Sequence, residues 1–292
     1  MSVPPFVGLP AGVRPGFVST AGGPLAVLTA DPREPGRCPV LLVPGFTGSK
    51  EDFLALLLPL AAAGHPVLAY DQRGQYQSTG PDDSEAYTVP SLAADVRQLV
   101  DHLGGGPVHL LGHSFGGLVA RRAVLDDPSR YRSLVLLGSG PSGIPGQRAV
   151  WLRRLRRVLD YGGVAAVWEA TKALSAGNPA SAALSPEMQA FLQTRFLASN
   201  DVGMGVMGAA LLHEPDTVDE LRDTAVPVLV AHGEDDDAWP AAVQEEMARR
   251  LGARYVAVPG AAHSPAAEAA EATVAALLEF WAHVEVPAAQ PR

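Results

Sequence analysis

The chain has 292 residues, enough at roughly 150 residues per domain for two domains or for one large α/β unit with an insertion. Hydrophobic residues at 47% and charged residues at 18% supply a core and exclude wholesale disorder. The net charge of −9 disfavours nonspecific binding to nucleic acid phosphates, and a lone cysteine, Cys38, excludes an internal disulfide framework and a cysteine-based zinc cluster. Cys38 reads instead as a small buried apolar group beside a strand.

The residues from Met1 to Arg14 lack the basic stretch and continuous apolar run of a signal peptide. The segment Phe53 to Gly64 is too short to span about 30 Å of hydrocarbon and contains Pro59. A soluble cytoplasmic protein with no membrane segment is expected.

Short β-branched or leucine-rich runs alternate with helical patterns, which predicts βαβ units and a mostly parallel sheet flanked by helices. Gly16–Thr20 and Leu25–Thr29 open the chain as a strand pair. Pro39–Val43 is a strand followed by a helix over Glu51–Ala63, and Pro66–Tyr70 is a strand ending at Asp71. Ser91 is expected to cap a helix running to Leu103. Val108–Leu111 breaks at Gly112 and hands over to a helix through Arg122, and Ser133–Leu137 is the sixth strand. From Gly138 to Arg222 the pattern is helical with no strand-like run. Strands resume at Val226–Ala231 and Tyr255–Val258, and a last helix covers Ala266–His283. This order predicts a core of residues 1–138 and 223–285, a helical cap of residues 139–222 inserted after the sixth strand, and a frayed Pro/Ala-rich tail over 286–292.

Gly112-His113-Ser114-Phe115-Gly116 satisfies G-x-S-x-G and lies between an apolar strand and a helical pattern, the context a nucleophile elbow requires. Glycines flank the serine because a nucleophile on a sharp strand-to-helix turn leaves no room for neighbouring Cβ atoms. The helix that follows aims its N-terminal N–H groups at the same place. A serine hydroxyl needs a base, and His263 is the best placed of eight histidines, in a small-residue loop between a strand and the last helix. His65, His113 and His232 read as structural or local groups. The base in turn needs an orienting carboxylate. Glu234, Asp235, Asp236 and Asp237 follow a strand together, and their chemistry alone does not choose among them.

At this point the chain resembles the α/β-hydrolase superfamily over nearly its whole length. The order Ser114, acid, His263 is that family's order. The family's acid loop, Gly-x-x-Asp-x-x-x-Pro, is matched by Gly233, Asp236 and Pro240, so the resemblance selects Asp236. Gly260-Ala261-Ala262-His263-Ser264 is similar to its histidine loop, and Asp71-Gln72-Arg73-Gly74 to a strand-end turn that frames the site. The resemblance also implies backbone oxyanion donors at Phe46, in Pro44-Gly45-Phe46-Thr47-Gly48-Ser49, and at Phe115. Two positions depart from the pattern: Pro44 stands for the usual His of His-Gly, and Gln75-Tyr76 for a later His-Gly. Both are expected to reshape the mouth of the pocket.

The cap is expected to set specificity. Trp151, Leu155 and Val158/Leu159 share a helical face, surrounded by Arg153, Arg154, Arg156 and Arg157, which either snorkel into solvent or form a basic patch. Trp168, Phe191, Phe196, Met204 and Met207 are candidates to line an apolar acyl pocket or to pack the cap, and Trp151 and Trp239 join them as candidate substrate contacts. The implied activity is serine hydrolysis of a carboxylic ester or lactone of a small to medium apolar substrate, through an acyl-enzyme, with no metal and no organic cofactor. Thioesterase action on a carrier- or CoA-bound acyl group, or a receptor or lyase on the same scaffold, are the alternatives. The sequence does not specify an oligomeric state.

Overall fold

The computed structural model describes residues 1–34, 36–175, 177 and 182–285; the tail expected to fray, 286–292, lies outside the described residues. Eight strands form one sheet: β1 (Val13–Thr20), β2 (Gly23–Ala30), β3 (Val40–Val43), β4 (Val67–Tyr70), β5 (Val108–His113), β6 (Tyr131–Leu137), β7 (Val228–Gly233) and β8 (Arg254–Val258). Their order is β1-β2-β4-β3-β5-β6-β7-β8. The opening hairpin β1–β2 and the β2–β4 pair are antiparallel, and every later pair is parallel.

All four residues of β3 are fully buried, as expected of a parallel strand covered on both faces. Alternation divides them. Leu41 and Val43 join one core with α2 (Val89–His102) and α3 (Phe115–Asp126). Val40 and Leu42 join the other, with α1 (Leu54–Ala62) and the C-terminal helix Ala270–Glu285. Between β6 and β7 the described chain is helical: α4 (Gly146–Ser175), α5 (Pro186–Leu197), α6 (Asp201–His213) and α7 (Val218–Asp223). Gly163, at φ 65°, breaks α4 into two arms. After β7 come α8 (Ala241–Leu251), the short α9 (Pro265–Glu268) and α10 (Ala270–Glu285).

Several boundaries differ from the sequence expectation. Thr88, not Ser91, caps α2: its hydroxyl accepts from the Ser91 N–H, and Pro90 fits the first turn, where no N–H is needed. The helix expected over Glu51–Ala63 opens with a 3-10 turn, Lys50–Phe53, before α1. α3 runs four residues past Arg122, and the last helix is two, because the backbone at Ala269 (φ −141°) leaves the helical region. β7 begins after Pro227, which has no N–H for the ladder. No helix among the described residues is long and apolar enough to cross a membrane.

Candidate active site

β5 ends at His113, and Ser114 turns the chain into α3 with φ 54° and ψ −121°, a strained conformation for a residue with a side chain. The flanking glycines are sterically obligatory. A Cβ on Gly112 would lie 2.3 Å from the Gly116 carbonyl oxygen, and one on Gly116 only 2.4 Å from that of Val43. Phe115 is the first residue of α3, so its N–H has no acceptor within the helix and faces the turn that carries Ser114.

Two loops meet the serine. His263 Nδ1 lies 2.9 Å from Asp236 Oδ1, and its Nε2 lies 3.0 Å from Ser114 Oγ. A carboxylate can only accept, so Nδ1 carries the hydrogen and Nε2 is left to take the serine proton. Asp236 Oδ1 also accepts from the Ala238 N–H at 2.8 Å, and Oδ2 from Gln244 Nε2 at 3.1 Å. Burial pushes the Asp236 carboxyl up, but the bond and charge of His263 and the other two donors outweigh it, holding the group below the usual carboxylate range. Asp236 therefore stays ionised. Of its acidic neighbours, Glu234 and Asp235 are exposed, and Asp237 pairs with Arg148 across to α4.

His113, read as a local group, donates from Nε2 to the His263 carbonyl at 2.7 Å. Burial and the neighbouring His263 lower it to about 4, so it is neutral at pH 7. His232 accepts from the Tyr255 hydroxyl and donates to the Gly233 carbonyl, a structural role. Sequence reasoning passed over Gln244. It lies on the first turn of α8, and its Nε2 binds both Asp236 and the Trp239 carbonyl, at 2.9 Å for the latter. A glutamine one helical turn beyond the acid-loop proline was the available signal.

The loop 44–49 passes directly over the elbow: a Cβ on Gly45 would come within 3.1 Å of Ser114 Cβ. Gln75, one of the departures from the family pattern, clamps this loop. Its Oε1 accepts from the Thr47 N–H at 2.6 Å and its Nε2 donates to the Gly45 carbonyl at 3.2 Å, while Gln72 Nε2 donates to the Pro44 carbonyl at 2.8 Å. Thr47 adopts φ 58°, which these bonds enforce. Asp71 accepts from both the backbone N–H and the Nζ of Lys50, each at 2.8 Å, and so anchors the far end of the loop.

The candidate substrate contacts separate into groups. Trp239 is buried with its ring 6.3 Å from that of His263, and its indole N–H donates to the Ser142 carbonyl at 3.2 Å. Met207 packs in the same cluster as Trp239, and Phe46 packs against that cluster and against the cap cluster. Trp168, Phe196 and Met204 pack within the cap cluster, with Phe191 half-buried against it and edge-on to Tyr76 at 5.7 Å. Trp151 is 36% exposed and does not join them. Leu155 and Leu159 of the expected face are buried, but Leu152 rather than Trp151 continues their stripe toward the start of α4.

One described cluster has metal-ligand chemistry: Cys38, His109 and Glu285. His109 is the second residue of β5, near the end of the strand opposite to Ser114 and roughly 16 Å along it. Glu285 already accepts there from the Cys38 N–H, His109 Nε2 and Arg37.

The match to known proteins is decisive at the family level. The model of the family described as "Alpha/beta hydrolase family" covers residues 40–277. The chain belongs to the alpha/beta hydrolase family. A non-heme haloperoxidase of Rhodococcus erythropolis is 30% identical over 83% of this chain and 91% of that one. A proline iminopeptidase of Lactobacillus delbrueckii subsp. lactis is 27% identical over 78% and 85%. Among solved structures, a thermophilic esterase from Thermogutta terrifontis superposes with a TM-score of 0.72 at 25% identity, covering 94% of this chain and all (100%) of that one. This alpha/beta hydrolase thus shares its scaffold with enzymes of several chemistries, and the substrate must be argued from the site itself.

Proposed function

We propose that the protein is a serine hydrolase that cleaves a carboxylic ester or lactone of a small to medium apolar substrate. The observation that carries this reading is the continuous relay from Ser114 Oγ through His263 to an ionised Asp236, at 3.0 and 2.9 Å. Ser114 attacks the carbonyl carbon while His263 Nε2 takes its proton, and Asp236 holds the imidazole and stabilises the imidazolium. The N–H groups of Phe46 and Phe115 receive the developing oxyanion, each such donor contributing about 10²–10³ in turnover. His263 then protonates the leaving alcohol, and a water activated by the same nitrogen releases the acid from Ser114. Residues 139–222 act as the cap over the core of 1–138 and 223–285. Phe46, on the loop that lies against Ser114, and Trp239, with its ring 6.3 Å from that of His263, favour an apolar substrate, and the likeness to a thermophilic esterase is in line with an ester.

The test is release of p-nitrophenol from esters of increasing acyl length by the wild type and by Ser114→Ala, with prolyl p-nitroanilide in parallel. Ester turnover that vanishes in Ser114→Ala is expected. Turnover of the anilide alone would overturn the ester reading, and ester turnover surviving in Ser114→Ala would overturn the serine mechanism.

A further inference from the structure

The helical face of α4 that turns inward reads Leu152, Leu155, Arg156, Leu159, the i, i+3, i+4, i+7 stripe of a buried helix with one arginine in it. Its neighbours Arg153, Arg154 and Arg157 are exposed, as arginines on a solvated face should be. Arg156 is half-buried, and its Nε is shut off from solvent with no hydrogen-bond partner. Arg73 and Arg195 also carry a buried, unpartnered Nε, but Arg73 is matched by Asp95 and Arg195 by Asp52. Among the described residues Arg156 has no carboxylate within ion-pair distance, not even Asp160 one turn along its own helix.

Its position is next to the chemistry. α4 and α6 pack antiparallel, with Leu159 against Gly205 and Arg156 against Gly208. A Cβ on Gly208 would lie 3.5 Å from Arg156 Cδ and 3.6 Å from Phe46 Cζ, so the two side chains meet on the same step of α6. Phe46 belongs to the loop that touches Ser114 through Gly45. Arg156 thus carries its aliphatic stem past the Gly208 step that Phe46 also meets, and its Nε, desolvated and unpaired, is a donor that an anion would satisfy.

We infer that Arg156 is a specificity-determining residue that binds an anionic group of the substrate, so that the preferred esters or lactones carry a carboxylate at the end remote from the scissile carbonyl. The inference rests on the serine-hydrolase reading above. Arg156 pairs with the remote carboxylate and does not touch the reacting atoms, so it acts on binding, and its removal should appear mainly in KM.

The experiment compares mono-p-nitrophenyl glutarate with p-nitrophenyl valerate, five-carbon acyl groups with and without the terminal carboxylate. The wild type should prefer the glutarate. In Arg156→Met, which keeps the aliphatic stem, the glutarate-to-valerate ratio of kcat/KM should fall about 10- to 100-fold, with Arg156→Lys intermediate. Arg156→Gln serves in its place if the methionine variant does not fold. A wild-type ratio of one or below, or a ratio unchanged in the variant, overturns the inference. If the wild type cleaves neither ester, the hydrolase reading fails, and the anion site is then read from binding alone. In that case glutarate should raise the melting temperature of Ser114→Ala but not of Ser114→Ala/Arg156→Met, and equal shifts or none overturn it.

Discussion

Replacing Asp236 by Asn removes one charge and almost no volume, and the structure states what the amide can do. The carboxylate accepts at three places: His263 and Ala238 at Oδ1, Gln244 at Oδ2. If the amide oxygen keeps the Oδ1 position, its NH₂ meets Gln244 Nε2, donor against donor. Gln244 could relieve this by flipping, since its Oε1 is buried and unpartnered, but it would lose its bond to the Trp239 carbonyl. If the amide turns the other way, its NH₂ faces His263 Nδ1 and forces the proton onto Nε2. The base then points a hydrogen at Ser114 and cannot accept one. Either orientation also leaves the imidazolium without a counter-charge.

The combined loss is about 10³–10⁴-fold in kcat/KM, or about 4–5.5 kcal/mol of transition-state stabilisation. The assay is the initial rate on a neutral p-nitrophenyl ester, with near-ultraviolet circular dichroism to show that the fold is kept. Asp235→Asn, at an exposed neighbour, is the control and should retain wild-type rates. A loss below about tenfold for Asp236→Asn, or an equal loss for Asp235→Asn, would refute the assignment.

Three other changes follow from the same geometry. Gln75→Leu removes the two Gln75 bonds to the loop 44–49 and should lower kcat on neutral esters about 10- to 100-fold, whereas an unchanged kcat would show that the Gln72 and Asp71 contacts hold the loop without it. A Cβ on Gly233 would lie 1.9 Å from the Ala262 carbonyl oxygen, so Gly233→Ala should displace the His263 loop and abolish most activity; full activity would contradict the close packing described. Burial lowers His109 to about 4, and burial with the nearby His263 lowers His113 to about 4. Because their folded values lie below the ordinary value near 6.5, the unfolded chain takes up protons first as pH falls. Their stability contribution is complete above about pH 6.5 and is lost between about pH 6.5 and 4, reaching about 2 kcal/mol for each by pH 5. These two histidines should make the protein melt at a lower temperature at pH 5 than at pH 7, and His109→Asn should reduce that difference; an unchanged difference in His109→Asn would argue against a neutral buried His109.

The sheet and the relay were legible in the sequence because each depends on local rules that leave a mark. A strand buried on both faces must be apolar throughout, as Val40–Val43 is, and an elbow must have glycine wherever a Cβ would strike backbone, as at Gly112 and Gly116. The acid was half legible. Four acids in a row satisfy the same chemistry, and only the fold determines that Asp236 turns inward while Asp235 remains exposed. The cap was legible least. The phase of α4 depends on what lies beneath it, and Leu152 rather than Trp151 faces inward because α4 packs against α6 along the Gly205 and Gly208 steps. Gln244 and Gln75 left no periodic trace because each acts through its amide alone, at a position set by loops distant in sequence.

The same division explains how the site holds its geometry beneath a cap built to different rules. His113, immediately before the nucleophile, donates to the carbonyl of His263, the base, so the distance between Ser114 and His263 is fixed through main chain on both sides. His113 donates from Nε2 whether neutral or protonated, so the bond survives pH changes that would break a carboxylate contact. The N–H of Ser114 is in turn bonded to the Leu137 carbonyl of β6, and the N–H of Gly138 to the Ala231 carbonyl of β7. Ser114 after β5, Asp236 after β7 and His263 after β8 thus all hang from the same end of one parallel sheet. If the proposed function holds, a substitution in α4, α5 or α6 should change which substrate is preferred while leaving the relay distances unchanged, whereas a change at Gly112, Gly233 or His113 acts on the relay itself.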